Sequence, residues 1–435
     1  MSQKLKETAS NIFLRALEGC SIERAFSRAV RVEAGWLYVG GQEIVALDTV
    51  RRVRVLAVGK AATPMLDALL ESVRFGCEMQ GVLIAPKHPE CLPEGFLFFA
   101  GGHPSPNEAS FAGAGAALEL MHDAARDPQG TLCVFLVSGG GSSMMELPLD
   151  GAISLEDTVA FHRALVASGA SIVEMNCVRK HFSAVKGGRL AMAAGGAQKI
   201  SLFVSDVPPH RLDALASGPT ISDTTTVEEC REIIQRYGME ARFPASVRRF
   251  FAGQIEETPK PGGSESTPYV LLSSEELGEA ARQVGEEMGF PVVIDNACDD
   301  WPYERAAEYL VERARELRRE HGRVCLISCG EVTVTLPACL PENARGGRNQ
   351  QWALQVATQL RAEDAPVAVL SGGSDGIDGN SPAAGAVLDE GTVDEGAEEA
   401  LRAFSGYEYL RARGAVLEIG PTGQNLRDLR ILLAE

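Results

Sequence analysis

The sequence predicts an α/β protein of two domains, each built on a mostly parallel sheet flanked by helices. Three observations carry that prediction. Short apolar runs rich in β-branched residues alternate with helix-compatible segments along nearly the whole chain. Several of those runs end in glycine and small polar residues. Leu132–Val137 enters Ser138-Gly139-Gly140-Gly141-Ser142-Ser143, Val324–Ile327 enters Ser328-Cys329-Gly330-Glu331, and Val367–Leu370 enters Ser371-Gly372-Gly373-Ser374-Asp375-Gly376. Buried strands of a parallel sheet read as continuous apolar runs, and ligands bind outside their carboxyl ends. Finally, 435 residues is the length of two or three domains, and TPKPGGSEST at 258–267 has the composition of a linker. Domains are therefore expected at 1–250 and 260–435.

In chain order, residues 3–34 read as helix, followed by a small β-rich patch at 36–39 and 43–45. The apolar run 53–58 is a buried strand that meets Gly59-Lys60-Ala61-Ala62 and a helix reaching Val73. A strand at 81–85 and another at 96–100 lead to the turn-rich stretch 101–108, and an Ala-rich helix covers 109–126 before the strand at 132–137. Residues 155–168 are helical, and a further helix starts near Asn176 and ends at Lys186-Gly187-Gly188-Arg189. The strand 200–204 runs into Ser205-Asp206-Val207, and a loop then carries Ser217-Gly218-Pro219-Thr220. Beyond the linker come strands at 269–272, 292–295 and 324–328, a charged helix at 302–321 and a hairpin at 332–335. Arg345-Gly346-Gly347-Arg348-Asn349-Gln350 opens a helix to Arg361, and strands at 367–370 and 416–419 close the reading before Gly420–Asn425.

Composition excludes several function classes. The net charge of −18 argues against a nucleic-acid backbone as partner, although a local basic pocket can still hold a small anion. No run approaches the length of a membrane span, and the first 26 residues form an amphipathic helix without a signal-peptide core, so a cytoplasmic protein is expected. Ten scattered cysteines without a C-x-x-C pair read as small buried hydrophobes rather than a disulfide framework. The histidines His103 and His181 read as loop or core residues. Neither G-x-x-x-x-G-K-[ST] nor G-x-G-x-x-G after a strand is present.

The remaining signals point to an anionic ligand. Several glycine turns follow apolar strands, and each brings Ser, Lys, Asp or Glu with it. Lys60 lies just past a buried strand, and Lys186-Gly187-Gly188-Arg189 and Arg345-Gly346-Gly347-Arg348 pair basic residues with glycines that let the backbone approach closely. Asp206, Glu331, Asp375 and Asp378 stand at inferred strand ends, where phosphoryl transfer needs carboxylates for a metal and for a hydroxyl proton.

These motifs together resemble the bacterial and animal glycerate 2-kinase family, with its N-terminal glycerate-kinase domain and C-terminal MOFRL domain. The resemblance covers nearly the whole chain and rests on Gly59-Lys60-Ala61-Ala62, Gly102-His103-Pro104, Ser138–Ser142, Lys186-Gly187-Gly188-Arg189-Leu190-Ala191, Ser205-Asp206-Val207, Ala216-Ser217-Gly218-Pro219-Thr220, Gly346-Gly347-Arg348-Asn349-Gln350, Asp375-Gly376, Ala383-Ala384-Gly385-Ala386 and Pro421-Thr422-Gly423. It implies transfer of the ATP γ-phosphate to the 2-hydroxyl of D-glycerate, or of a closely related small hydroxy acid, with Mg²⁺ in an active site in the cleft between the domains. It further implies that Lys60 and Arg348 hold the substrate carboxylate and phosphoryl group. Ser138, Gly139, Gly140, Gly141 and Ser142, with Lys186, Gly187, Gly188, Ser217 and Gly218, would cradle the nucleotide phosphates. Asp206, Glu331 and Asp375 would serve Mg²⁺, with Asp206 and Asp375 also candidates for proton acceptance, and Asn425 would bind substrate from the C-terminal side. The chain departs from the family pattern at Pro208-Pro209-His210, at Pro382 and at Gln424. The alternatives are a hydroxypyruvate reductase-type oxidoreductase, against which the missing dinucleotide fingerprint stands, and a non-catalytic nucleotide-binding homologue. A homodimer is the default expectation for its assembly.

Overall fold

The computed structural model describes residues 2–263, 265–337, 339–341 and 344–435, apart from the side chains of Pro209 and His210. The chain divides into two compact units, one of Ile22–Leu271 and one of Met1–Ser21 with Leu272–Glu435. The expected division into 1–250 and 260–435 thus takes a different form, because the opening helix Ser2–Gly19 joins the C-terminal half. Its buried stripe of Leu5, Ala9, Ile12, Phe13, Ala16 and Leu17 recurs at helical spacing and packs on the helix Ser274–Glu287 and the strand Val367–Gly373. The Phe13 ring lies so close to Gly372 that a Cβ there would sit 2.9 Å from it.

Helix does not continue to residue 34. After the helix Ile22–Ala29, strands Val30–Glu33, Trp36–Val39 and Gln42–Ala46 form a small antiparallel sheet. Ala34 and Gly35, at φ 50° and 83°, make the two-residue turn whose twist suits a hairpin. Val30 and Val32 flank that turn with β-branched side chains, and the turn chemistry overrides the helical reading.

The first unit is built on a six-stranded sheet in the order Phe96–Ala100, Glu78–Ala85, Arg52–Val58, Thr131–Ser138, Gln198–Val204, Thr267–Leu272. The first five strands pair in parallel. Thr131–Ser138 is buried at every residue, which is why it reads as an unbroken apolar run. The helix Glu108–Arg126, opened by a capping box between Asn107 and Ser110, lays Ala114, Ala117 and Met121 against Leu56, Val58, Phe135 and Val137. A separate helical core gathers Phe161, Phe182, Phe243 and Phe251, with the Phe161 and Phe182 rings stacked at 4.1 Å. That core fixes the helix Ile172–Phe182.

The second unit corrects the expectation of a mostly parallel sheet. Its six strands run Val292–Ile294, Val324–Cys329, Asp428–Ala434, Val367–Gly373, Gly385–Asp389, Val416–Leu417, and only the first pair is parallel. The strand Asp428–Ala434, which the sequence reading did not assign, inserts antiparallel between the two that carry the glycine-terminated motifs. It is buried throughout. Residues 332–335 do not form a hairpin; Thr333 instead bridges to Pro302. Among the described residues no helix is long and apolar enough to cross a membrane.

Glycine is required where strands of the first sheet end. Gly59 has φ +117°, and a Cβ there would lie 2.4 Å from Ser138 Oγ and 2.5 Å from Ser138 O. Gly115, inside the helix Glu108–Arg126, has nothing within 4 Å of the equivalent position. Gly59→Ala is therefore expected to destabilise the protein by about 2 kcal/mol, and Gly115→Ala to stabilise it by roughly 0.5–1 kcal/mol. Urea unfolding midpoints of the two variants check both, and equal shifts would contradict the assignment.

Candidate active site

The first sheet changes its direction of winding between Arg52–Val58 and Thr131–Ser138, the position at which doubly wound sheets open a crevice. Both strands end there in glycine. The Lys60 N–H donates to Gly139 O at 2.9 Å, and the Ala61 N–H donates to Ser138 Oγ at 3.0 Å. Ser138 is thus a buried strut between two strand-end loops. The turn itself has no room for side chains. A Cβ on Gly139 would meet Asp206 Oδ2 at 2.0 Å, and one on Gly140, at φ +83°, would approach His103 Cδ2 and Lys60 Cγ at 3.2 Å. Lys60, His103 and Asp206 therefore surround one glycine turn. Burial and the Lys60 charge both hold His103 below the usual imidazole value, which keeps it neutral near pH 7.

Hydroxyls and a guanidinium close the far side. Ala216, Ser217 and Gly218 are consecutive residues at φ 50°, 59° and 63°, a strained turn that brings Ser217 against the glycine loop. Ser217 Oγ lies 2.8 Å from Ser142 Oγ and donates to Asn176 Oδ1 at 3.1 Å; Arg179 Nη1 donates to the same Asn176 oxygen at 3.2 Å. The buried Arg179 Nε has no partner among the described residues, and burial lowers the Arg179 pKa against the opposing pull of Glu146. Neither Asn176 nor Arg179 was among the expected site residues. The only sequence signal was their place in the run Asn176–His181 before Lys186.

Lys186, Gly187 and Gly188 require a correction. Lys186 is completely buried, with Nζ 2.7 Å from the equally buried Glu146 Oε2 and 3.2 Å from Met145 O. The Gly187 and Gly188 N–H groups donate to Ser217 O and Gly218 O at 3.1 and 2.7 Å. This segment therefore braces the Ser217 turn and the floor of the glycine loop from within, and its donors do not face a phosphate. His162 Nε2 completes the cluster at 2.9 Å from Glu146. Burial would raise the Glu146 carboxyl, but Lys186 and His162 outweigh it and hold it down at about 2.

In the second unit, Arg348 opens the helix Arg348–Gln359 and forms a two-pronged pair with Asp428, Nε to Oδ2 at 2.6 Å and Nη2 to Oδ1 at 2.9 Å. Glu331 Oε1 lies 2.9 Å from Arg348 Nη2. Burial disfavours the Arg348 charge, and Asp428 and Glu331 more than restore it. Asp428 is the carboxylate the sequence reading missed; it is the first residue of the unassigned final strand. Asp375 stands near it, since a Cβ on Gly373 would lie 3.0 Å from Asp375 Oδ1 and 3.5 Å from Asp428 Oδ1. Asn425 uses Oδ1 to accept the Arg427 N–H at 2.9 Å, so it shapes the loop Thr422–Arg427. In the same loop the Gln424 side-chain oxygen is buried without a partner among the described residues. Asp378 is buried beneath the helix start and accepts the Asn349 and Gln350 N–H groups at 3.0 and 2.9 Å. Burial and Asp428 push its carboxyl up to about 7, against those two bonds and Arg348.

Two outcomes follow. Glu146→Gln leaves the Lys186 ammonium buried without a counter-charge and is expected to cost about 3–5 kcal/mol in denaturant unfolding. A change within experimental error would refute the pair. For Asp378 the folded value of about 7 exceeds the ordinary 3.8. The stabilisation it contributes is fully present below the unfolded value and is lost as pH rises through the folded one. Unfolding midpoints measured across that window should show a downward component that Asp378→Asn removes; an unchanged pH profile in the variant would contradict the assignment.

Residues 8–252 match the family described as a domain of unknown function (DUF4147), and residues 324–428 match the MOFRL family. The chain is 35% identical to the D-glycerate 2-kinase of Thermotoga maritima over 390 residues, covering 87% of this chain and 90% of that protein. It is 32% identical to the glycerate 2-kinase of Pyrococcus horikoshii over 448 residues, covering 100% of this chain and 98% of the other. The crystal structure of glycerate kinase from Thermotoga maritima matches it with a TM-score of 0.84 at 32% identity, over 100% of both chains. With a DUF4147 half that carries Lys60 and the glycine turn and a MOFRL half that carries Arg348, the chain belongs to the glycerate kinase family.

Proposed function

We propose that the protein is an ATP-dependent, Mg²⁺-assisted kinase that phosphorylates the 2-hydroxyl of D-glycerate to give 2-phosphoglycerate. The observation that carries this reading is the glycine turn at the switch point, where Lys60, His103 and Asp206 close in so tightly that the backbone of Gly139 and Gly140 admits nothing larger than a hydrogen. Its kinship with proteins named D-glycerate 2-kinase and glycerate 2-kinase supports the substrate.

Phosphoryl transfer through a loose transition state asks the protein for positioning and charge neutralisation. Lys60 supplies a cation beside the turn. Ser142 and Ser217 offer hydroxyls to phosphate oxygens, and Arg179 lies behind them. Arg348, held in a fixed plane by Asp428, is oriented to take a carboxylate or phosphate through its remaining N–H groups. Asp375 is the candidate acceptor for the 2-hydroxyl proton. Asp206 fits Mg²⁺ best, since its hard carboxylate oxygens overhang the glycine turn, and an ion carried in with the nucleotide keeps several waters and needs only one or two protein carboxylates. The ion would neutralise charge on the β- and γ-phosphates. Glu331 is less suited than Asp206 or Asp375, because it counters the Arg348 charge. Ten cysteines, none paired in a disulfide, support a cytoplasmic setting.

The test is a coupled assay of the purified chain with ATP, Mg²⁺ and D-glycerate, following ADP and 2-phosphoglycerate. Lys60→Ala and Arg348→Ala should each lower kcat/KM on the order of 10²–10³-fold with the fold retained. NADH oxidation with hydroxypyruvate and no ADP formation would replace the kinase with an oxidoreductase. ADP release with a different hydroxy acid alone would keep the chemistry and move the substrate.

A further inference from the structure

Behind the Asn176 and Arg179 side chains lies a cluster that phosphoryl transfer does not use. Cys177 and His181 are four residues apart on the helix Ile172–Phe182 and so share a face. Cys230 comes from the helix Val227–Arg236, which packs against it. The ligand atoms of the three residues all lie within 4.8 Å of one another, and Cys177 Sγ is 4.0 Å from His181 Nδ1. All three are buried.

We infer that Cys177, His181 and Cys230 form a binding site for a soft divalent cation of the zinc class. Zinc takes thiolate sulfur at about 2.3 Å and imidazole nitrogen at about 2.0–2.1 Å, so tetrahedral ligands stand roughly 3.5–3.8 Å apart. The cluster needs only a small contraction to reach that spacing. The histidine is also supported as a metal ligand should be. Its Nε2 lies 3.0 Å from Glu257 Oε1, and Glu257 is itself anchored by the Thr258 and Val227 N–H groups and by Lys260. A carboxylate behind a ligating imidazole fixes its tautomer and raises its basicity.

Without metal, His181 Nδ1 donates to Cys177 O at 2.8 Å. Binding exchanges that bond for coordination. The Nδ1 proton and the two thiol protons leave, Nε2–H stays on Glu257, and the two thiolates balance the dication. The fourth position is left to a water molecule. The consequence is structural: the ion would tie the helix that carries Asn176 and Arg179 to the helix Val227–Arg236.

The experiment uses the whole reduced chain, stripped with a chelator and titrated with Co²⁺. The expected result is a thiolate-to-cobalt charge-transfer band that saturates at one equivalent, is bleached by Zn²⁺, and is absent from the Cys177→Ser, Cys230→Ser double variant. Glu257→Gln should keep the band and weaken binding about 10–100-fold. Zinc should raise the melting temperature of the native chain and leave that of the double variant unchanged. Three results would overturn the assignment: no band in the native chain, a band that survives loss of both thiols, or isolation of the chain as a metal-free Cys177–Cys230 disulfide, lighter by two hydrogens. Because the readout is spectroscopic, its failure is separate from any failure of the kinase assay.

Discussion

The first unit depends on how closely two strand ends approach. Arg52–Val58 and Thr131–Ser138 are adjacent and parallel, and beyond them Gly59 lies against Ser138 with no space for a Cβ. The Ser138 hydroxyl accepts the Ala61 N–H while the Gly139 carbonyl accepts that of Lys60. Backbone groups leaving a sheet must find new partners. Here each loop supplies the other's, and the result is a rigid turn with Lys60, His103 and Asp206 around it.

Buried charge supports that turn from below. Glu146 follows the glycine loop directly and meets Lys186 and His162 in the interior. A pair of this kind adds little net stability over an apolar substitute, yet it is costly to break, and it fixes where its backbone must lie. The second unit solves the same problem with different parts. Asp378 caps the start of the helix Arg348–Gln359 through its N–H groups, and Asp428 on the neighbouring central strand locks the Arg348 fork. In each unit a buried carboxylate lies beneath the candidate site residues.

Much of this was legible from residue order. Strands buried on both faces announce themselves as apolar runs, and glycines at their ends mark a close approach, so Lys60, the loop 138–142 and Asp206 could each be placed at the end of a strand from residue order. Lys186-Gly187-Gly188 misled because a lysine beside two glycines looks alike whether its ammonium faces solvent or a buried carboxylate. The partner that decides the matter, Glu146, is 40 residues away. Asn176, Arg179 and Asp428 were missed for the related reason that a polar residue in a helix or at a strand start carries no local mark of what it will meet.

The sequence alone determined the α/β class, the strand-turn-helix units and the glycine positions, because those rest on local periodicity and on backbone sterics, and its short motifs carried the resemblance to the family. Tertiary structure decided that the opening helix joins the second unit and that the last strand enters the middle of a mixed sheet. It also decided which basic residues are buried in ion pairs and which remain beside the turn. Those choices depend on contacts between residues tens to hundreds of positions apart, where burial free energy and charge pairing act and local pattern is silent.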